Sequence, residues 1–130
     1  ARAQLAQGIA KHRLFFLNSF DRMKWSWTYW AWEPSFLKSE AAQLLARSYP
    51  AVTAGRLVSF GYEPVSEVFR MRWVGDPSFE APTLARLPRS YEWRDVQVVP
   101  EARYEIVEEE GALYIAVRAE RGDAYTLVIS

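Results

Sequence analysis

The chain has 130 residues, enough for one ordinary domain or for a small domain with a piece of another. Half of the residues are apolar and 15% are aromatic, which excludes a mainly disordered chain; sixteen basic residues balance sixteen acidic ones, so the net charge favours neither a nucleic-acid partner nor a polybasic membrane contact. The absence of cysteine and the single histidine, His12, exclude a disulfide framework, a thiol nucleophile and a Cys- or His-rich metal site.

The first predicted element is a helix over residues 1–21. The apolar residues of one face recur four and seven positions apart: Leu5, Ile9, Phe16 and Phe20. The longest apolar run, residues 14–17, is far too short to cross a bilayer, so no transmembrane segment is expected. The sequence opens at Ala1 without an initiator Met or a signal-like stretch, which indicates a fragment or a processed product.

The next segment is rich in aromatic side chains. Four of the six tryptophans lie within residues 25–32. This composition, followed by Pro34, predicts a strand that is apolar on nearly both faces, as in a buried parallel sheet. A second helix is predicted after the N-cap Ser39, with Leu44 and Leu45 facing inward.

From Arg56 onward, short alternating runs replace the helical pattern. Six or seven strands are predicted, at residues 56–62, 68–74, 83–87, 96–99, 104–107, 113–117 and 125–129. Strands of this length, with turns every eight to twelve residues, are typical of an antiparallel β-sandwich.

The two parts differ in whether they can form a core alone. Residues 50–130 can bury a core of their own, whereas residues 1–49 would leave most of a two-faced strand exposed unless other parallel strands flanked it. We therefore expect residues 1–49 to complete a larger α/β body that lies outside this sequence.

The end of the aromatic strand is the candidate ligand site. In α/β folds, ligands bind at the carboxyl ends of parallel strands, which favours Trp30 and Trp32. A flat indole face suits a pyranose ring, whose C–H groups pack on it. In the alternative interpretation, the tryptophans only fill the space between a sheet and its helices.

A catalytic carboxylate pair is not found. A glycosidase needs two carboxyl groups about 5–10 Å apart. Asp21 precedes the predicted strand and Glu33 follows it. A strand of about eight residues is about 26 Å long at ~3.3 Å per residue, so the two carboxyl groups are too far apart to act as a pair. His12 lies in mid-helix, which argues against a Ser-His-acid triad. No nucleotide-, phosphate- or metal-binding motif occurs, so we expect no cofactor and no metal.

Two segments resemble glycoside hydrolase family 5. Residues 25–33, WSWTYWAWE, resemble the last barrel strand of that family, in which a tryptophan at the strand end lines the subsite of the cleaved sugar. Residues 45–64, LARSYPAVTAGRLVSFGYEP, resemble the junction between the final barrel helix and the C-terminal β-sandwich of endoglycoceramidases, with Ser48 where a proline is usual. Residues 82–88, PTLARLP, are similar to the next recurrent strand.

The resemblance implies α/β plus all-β architecture. Residues 1–49 would be the C-terminal end of a (β/α)8 TIM barrel (helix, strand 8, helix 8), and residues 50–130 an antiparallel β-sandwich domain. It also implies a retaining glycosidase of glycolipids whose two catalytic glutamates precede Ala1, so that this chain alone holds no catalytic residue and would not hydrolyse substrate.

The resemblance further implies which residues and partners belong to the site. Trp30 matches the strand-eight tryptophan, the one site residue of the family that carries over to this chain. Trp32 and Glu33 are expected to contact substrate only as its neighbours in the sequence. The implied partners are a glycolipid or oligosaccharide substrate and the missing N-terminal barrel segment, with no nucleic acid.

An alternative function is a non-catalytic carbohydrate- or membrane-binding β-sandwich module. A row of exposed aromatic residues on one sandwich face would favour it. Phe69, Met71 and Trp73 share one strand face, and such a row is predicted to lie in the core.

Overall fold

The computed structural model describes residues 2–28, 33–88, 95–119 and 121–130. The chain divides into two compact units, Ala1–Ala46 and Arg47–Ser130. In the described residues, the first unit contains helix α1 (Arg2–Met23), a 3-10 turn (Phe36–Lys38) and helix α2 (Glu40–Leu45). Neither helix combines the length and the apolar content that a membrane span requires.

Helix α1 confirms the first predicted helix, but its buried face differs from the predicted stripe. Leu17 and Asp21, one turn apart, are buried, whereas Phe16 is 45% exposed. Phe15, on the neighbouring face, is 62% exposed. Part of the apolar surface of α1 is therefore uncovered within this chain.

A Schellman motif ends helix α1. The amide of Trp25 donates to the carbonyl of Phe20 at 2.9 Å, and that of Lys24 donates to Asp21 at 3.1 Å. Lys24 takes the left-handed conformation, with φ 55°, that this motif requires at the residue after the cap. The rings of Phe20 and Trp25 stack with centroids 6.4 Å apart, which supplies the hydrophobic contact that accompanies the motif.

The predicted aromatic strand is not found in the described part of its segment. Residues 25–28 lie in neither a helix nor a strand, and residues 29–32 fall outside the described residues. A parallel strand is defined by hydrogen bonds to flanking strands. None of the strand pairs in the described residues includes residues 25–28, so this part of the predicted strand lacks the flanking strands that it would need.

Helix α2 confirms the second predicted helix in a shorter form. The hydroxyl of Ser39 accepts a hydrogen bond from the amide of Ala42 at 3.2 Å, as an N-cap does. The helix ends at Leu45, because Ala46 is already extended (ψ 90°), and Ala41 is its buried residue.

The second unit is an antiparallel β-sandwich, as predicted. Its strands are β1 (Tyr49–Val52), β2 (Gly55–Glu63), β3 (Val68–Gly75), β4 (Thr83–Leu87), β5 (Val96–Val99), β6 (Arg103–Glu109), β7 (Ala112–Arg118) and β8 (Ala124–Ile129). They form two four-stranded sheets with the orders β1-β4-β7-β6 and β2-β3-β8-β5. The prediction missed β1, where Pro50 lies on an edge strand, a position that tolerates a residue without an amide proton.

The core lies between the two sheets. On β3 the alternation is strict: Phe69, Met71 and Trp73 are fully buried, while Arg70 and Arg72 are exposed. The three core residues pair across strands with Ile129, Leu127 and Tyr125 of β8. The facing sheet contributes Ala85, Leu87, Ile115 and Val117 to the same cluster.

Candidate functional site

The structure places one of the three predicted site residues. Trp30 and Trp32 lie outside the described residues, so their roles stay predictions. Glu33 is exposed, and its carbonyl accepts the amide of Phe36 at 2.9 Å. This turn leads into the 3-10 turn Phe36–Lys38 and fixes where the chain leaves the aromatic segment.

The start of the aromatic segment carries an exposed tryptophan. Trp25 is 60% exposed, and Phe20 is its ring contact among the described residues, whereas Trp27 is partly buried. The indole of Trp25 is therefore not packed in a core within this chain. An indole in this state is available to a further surface.

The acid–base candidates of the sequence, Asp21, Glu33 and His12, differ in burial and contacts. Asp21 is buried on α1, and Glu33 is exposed before the 3-10 turn. His12 is exposed on α1, with its ring edge-to-face on Phe16 at 4.8 Å. No group of three or more potential metal ligands occurs in the described ranges.

The junction between the two units contains a buried arginine. Arg47 is 6% exposed, and its guanidinium donates to the carbonyl of Tyr62 at 3.2 Å and lies 5.5 Å from the centre of the Tyr62 ring. Burial raises the pKa of the Tyr62 hydroxyl, Glu67 and Glu63 raise it further, and the positive charge of Arg47 opposes the increase. Arg47 therefore fixes the first residue of the sandwich unit to strand β2.

Arg47 belongs to the motif of residues 45–64, but the sequence does not indicate a role for it. An arginine is seldom buried unless it is paired, but the sequence alone does not show its burial. The hydrogen bond of Arg47 joins it to Tyr62, which lies 15 positions further along the chain.

A polar pocket of about 300 Å³ lies in the sandwich unit and was not predicted. It is lined by Pro100, Glu101, Ala102, Arg121, Asp123 and Tyr125. The hydroxyl of Tyr125 accepts the amide of Arg121 at 3.3 Å. The strand pattern of the sequence does not show this pocket, because the pocket requires the β5–β6 connection and the β7–β8 hairpin to meet in space.

The row Phe69, Met71 and Trp73 is not a ligand platform. All three side chains are fully buried, as the core interpretation predicted. The aromatic row that would have favoured a carbohydrate-binding module on this strand is therefore part of the core.

A family profile matches most of the sandwich unit. The profile of the glycoside hydrolase family 5 C-terminal domain matches residues 47–129, more than half of the chain. A search of curated proteins found no match.

Solved structures share the fold at low sequence identity. Endo-glycoceramidase II from Rhodococcus sp. in its five-membered iminocyclitol complex is 19% identical, with a TM-score of 0.73, over 95% of this chain and 30% of that chain. The ganglioside GM3 complex of the same enzyme is 20% identical, with a TM-score of 0.66, over 95% of this chain and 28% of that chain. Sterylglucosidase 1 from Cryptococcus neoformans with tris is 20% identical, with a TM-score of 0.54, over 76% of this chain and 16% of that chain. This chain thus spans less than a third of each of these proteins.

Proposed function

The chain belongs to the glycoside hydrolase family 5 C-terminal domain family, and from that membership we propose that it is the C-terminal part of a retaining glycosidase that cleaves the β-glycosidic bond of glycolipids. One observation carries the proposal. Structures of endo-glycoceramidase II cover 95% of this chain, which extends beyond the matched residues 47–129 into the helical unit. The names of these neighbours, a glycoceramidase and a sterylglucosidase, support glycosides of lipids as the substrate class.

In this proposal, residues 1–49 are the last strand and helices of a TIM barrel, and residues 50–130 are a structural sandwich. The apolar surface left uncovered in the helical unit supports it: Phe15, Met23 and Trp25 are each more than half exposed. Exposed apolar area of this kind is stabilised when further protein covers it. The missing N-terminal barrel segment is the partner that the proposal requires.

The two catalytic glutamates come from that N-terminal segment. In a retaining mechanism, one carboxylic acid protonates the glycosidic oxygen while the other, as a carboxylate, attacks the anomeric carbon and forms a glycosyl-enzyme. Water then attacks the anomeric carbon, and the first residue accepts its proton. One of the similar structures is described as a lactosyl-enzyme intermediate of endo-glycoceramidase II, which supports this class of mechanism.

This chain contributes binding rather than proton transfer. The indole of Trp30 packs against the C–H face of the sugar in the cleavage subsite and leaves the hydroxyls free to form hydrogen bonds. Trp32 and the carboxylate of Glu33 line the same subsite, where Glu33 accepts a sugar hydroxyl. The exposure of Glu33 supports its access to substrate.

The first prediction concerns activity. The complete protein that contains this chain should release sugar from glucosylceramide or from oligosaccharide-ceramide vesicles, whereas the 130-residue chain alone should release none. Thin-layer chromatography and mass spectrometry of the products measure both. Failure of the complete, folded protein to cleave any β-glycoside would contradict the proposed function.

The second prediction concerns Trp30. In the complete protein, Trp30→Ala should lower kcat/KM about tenfold, which corresponds to the loss of ~1.4 kcal/mol of sugar stacking in the transition state. Trp30→Phe should retain part of the activity, because a smaller ring keeps a flat face. Trp25→Ala is the control, since Trp25 lies at the other end of the segment. An equal catalytic loss in the Trp25 and Trp30 variants would show that Trp30 has no special place in the site.

A further inference from the structure

The outer face of the sheet β2-β3-β8-β5 carries a set of arginines. Because alternate residues of a strand point to opposite faces, the buried Phe69, Met71 and Trp73 place Arg70 and Arg72 on the outer face, where both are exposed. The two lie about 6.6 Å apart along the strand. They form part of a flat surface rather than a pocket.

The strand register shows what surrounds these arginines. Arg70 pairs with Gly61 on one side and Val128 on the other. Arg72 pairs in the same way with Ser59 and Thr126. All four neighbouring residues are uncharged and have shorter side chains than arginine. The guanidinium groups therefore extend further from the sheet than the side chains beside them.

A third arginine extends the set. Arg56 of β2 pairs with Val74 of β3, one step further along the same face, and is also exposed. We call Arg56, Arg70 and Arg72 the arginine face. Two acids lie on this surface. The carboxylate of Glu63, at the end of β2, accepts the amide of Val65 at 3.2 Å. Asp95, exposed just before β5, lies on the same face as Gln97, and its carboxylate accepts the side-chain amide of Gln97 at 2.7 Å.

The charges of the arginine face are not used within the described residues. None of its three guanidinium groups has a hydrogen bond or an ion pair there. On the outer face of the other sheet, by contrast, Arg86 donates to the Tyr49 hydroxyl at 3.0 Å, and Arg118 donates to the Glu80 carbonyl at 3.2 Å. The arginine face therefore offers a partner three guanidinium groups that make no direct hydrogen bond or ion pair within the described residues.

The composition of this surface narrows the class of partner. None of the residues that β2, β3, β5 and β8 present on it is aromatic, so it lacks the rings that stack on neutral sugars or on unpaired bases. Positive charges spread over a flat sheet are complementary to an extended surface with many anionic groups. We propose that the arginine face docks the protein onto a membrane surface that carries anionic lipid headgroups.

The balanced net charge of the chain concealed this surface. Sixteen acidic residues offset sixteen basic ones overall, but three of the acids, Glu108, Glu109 and Glu110, lie together around the β6–β7 hairpin. The docking proposal goes beyond the glycosidase proposal and does not depend on it, because it concerns lipid headgroups and not a glycoside.

Vesicle co-sedimentation of the 130-residue chain tests the proposal. We expect binding to phosphatidylcholine vesicles that contain phosphatidylglycerol, none to phosphatidylcholine alone, and weaker binding as added salt screens the charges. The double variant Arg70→Gln/Arg72→Gln should bind about 25-fold more weakly, at about fivefold for each arginine that is removed near the surface. Circular dichroism verifies that the variants are folded.

A charge-matched control separates this face from general electrostatics. Arg103→Gln/Arg118→Gln removes the same charge from two exposed residues that pair on the outer face of the other sheet, and it should bind almost as the unchanged chain does. Equal losses in both double variants, or equal binding to both kinds of vesicle, would overturn the proposal. So would binding to RNA without binding to anionic vesicles. Since no glycoside is present, failure here leaves the glycosidase proposal unaffected.

Discussion

Replacement of Trp73 with alanine is expected to lower the free energy of unfolding of the sandwich by about 3–5 kcal/mol. Trp73 is fully buried, and its ring stacks on that of Tyr125 with centroids 5.4 Å apart and an interplanar angle of 22°. The substitution removes a side chain that is the largest of the fully buried ones among the described residues, and it leaves a cavity between the sheets. Because ordinary domains are stable by about 5–15 kcal/mol, the loss takes a large share of the total.

Urea unfolding followed by far-UV circular dichroism measures the effect. Trp73→Phe keeps a ring against Tyr125 and removes an indole N–H that is buried without a hydrogen bond among the described residues, so its cost should be smaller. Trp25→Ala is the control, because Trp25 is 60% exposed and lies outside the sandwich unit. An unchanged urea midpoint for Trp73→Ala would show that Trp73 is not a core residue.

The sandwich could be predicted from sequence because its strands alternate. On β3 and β8 every second side chain is apolar, and the structure buries that set. Strand β1 was missed because a proline in a four-residue strand resembles a turn, and only pairing with β4 shows it to be an edge strand. The order of strands within each sheet could not be predicted, because it depends on connections that cross from one sheet to the other.

The aromatic segment could be predicted less well for a physical reason. A sequence with aromatic residues on both faces indicates burial from two sides, but it does not supply the strands that would bury it. In this chain the described residues 25–28 pair with no strand, and Trp25 is exposed. The prediction of Trp30 as a sugar platform therefore rests on the family resemblance, and the substitution of Trp30 tests it.

The amino-acid composition did not indicate how the charged residues are distributed over the surface. A net charge of zero suggested no basic surface, yet strand alternation and register bring Arg56, Arg70 and Arg72 onto one face. The same alternation that predicts the core residue Trp73 also predicts its exposed neighbour Arg72. Alternation along β3 places Arg70 and Arg72 on the exposed face, whereas the position of Arg56 beside them depends on the register between β2 and β3.

Replacement of Gly55 with alanine is expected to destabilise the sandwich by about 3 kcal/mol or more. Two costs contribute: the strain of an unfavourable backbone conformation and the overpacking caused by the added Cβ. Gly55 has φ 133°, which side chains rarely permit, and a Cβ there would lie 2.1 Å from the carbonyl oxygen of Val74. This obstacle is backbone and cannot move aside without breaking the pairing of Gly55 with Gly75. The first residue of strand β2 must therefore be glycine.

Gly61 provides a matched control on the same strand. A Cβ at Gly61 would have no neighbouring atom within 4 Å, and its φ is not positive, so Gly61→Ala should leave stability unchanged or raise it slightly. Thermal unfolding of the two variants compares them directly. Equal melting temperatures would contradict the requirement for glycine at position 55. A selective loss at Gly55 would show that close contact between the β2 and β3 backbones, rather than a general preference for glycine, sets the start of strand β2.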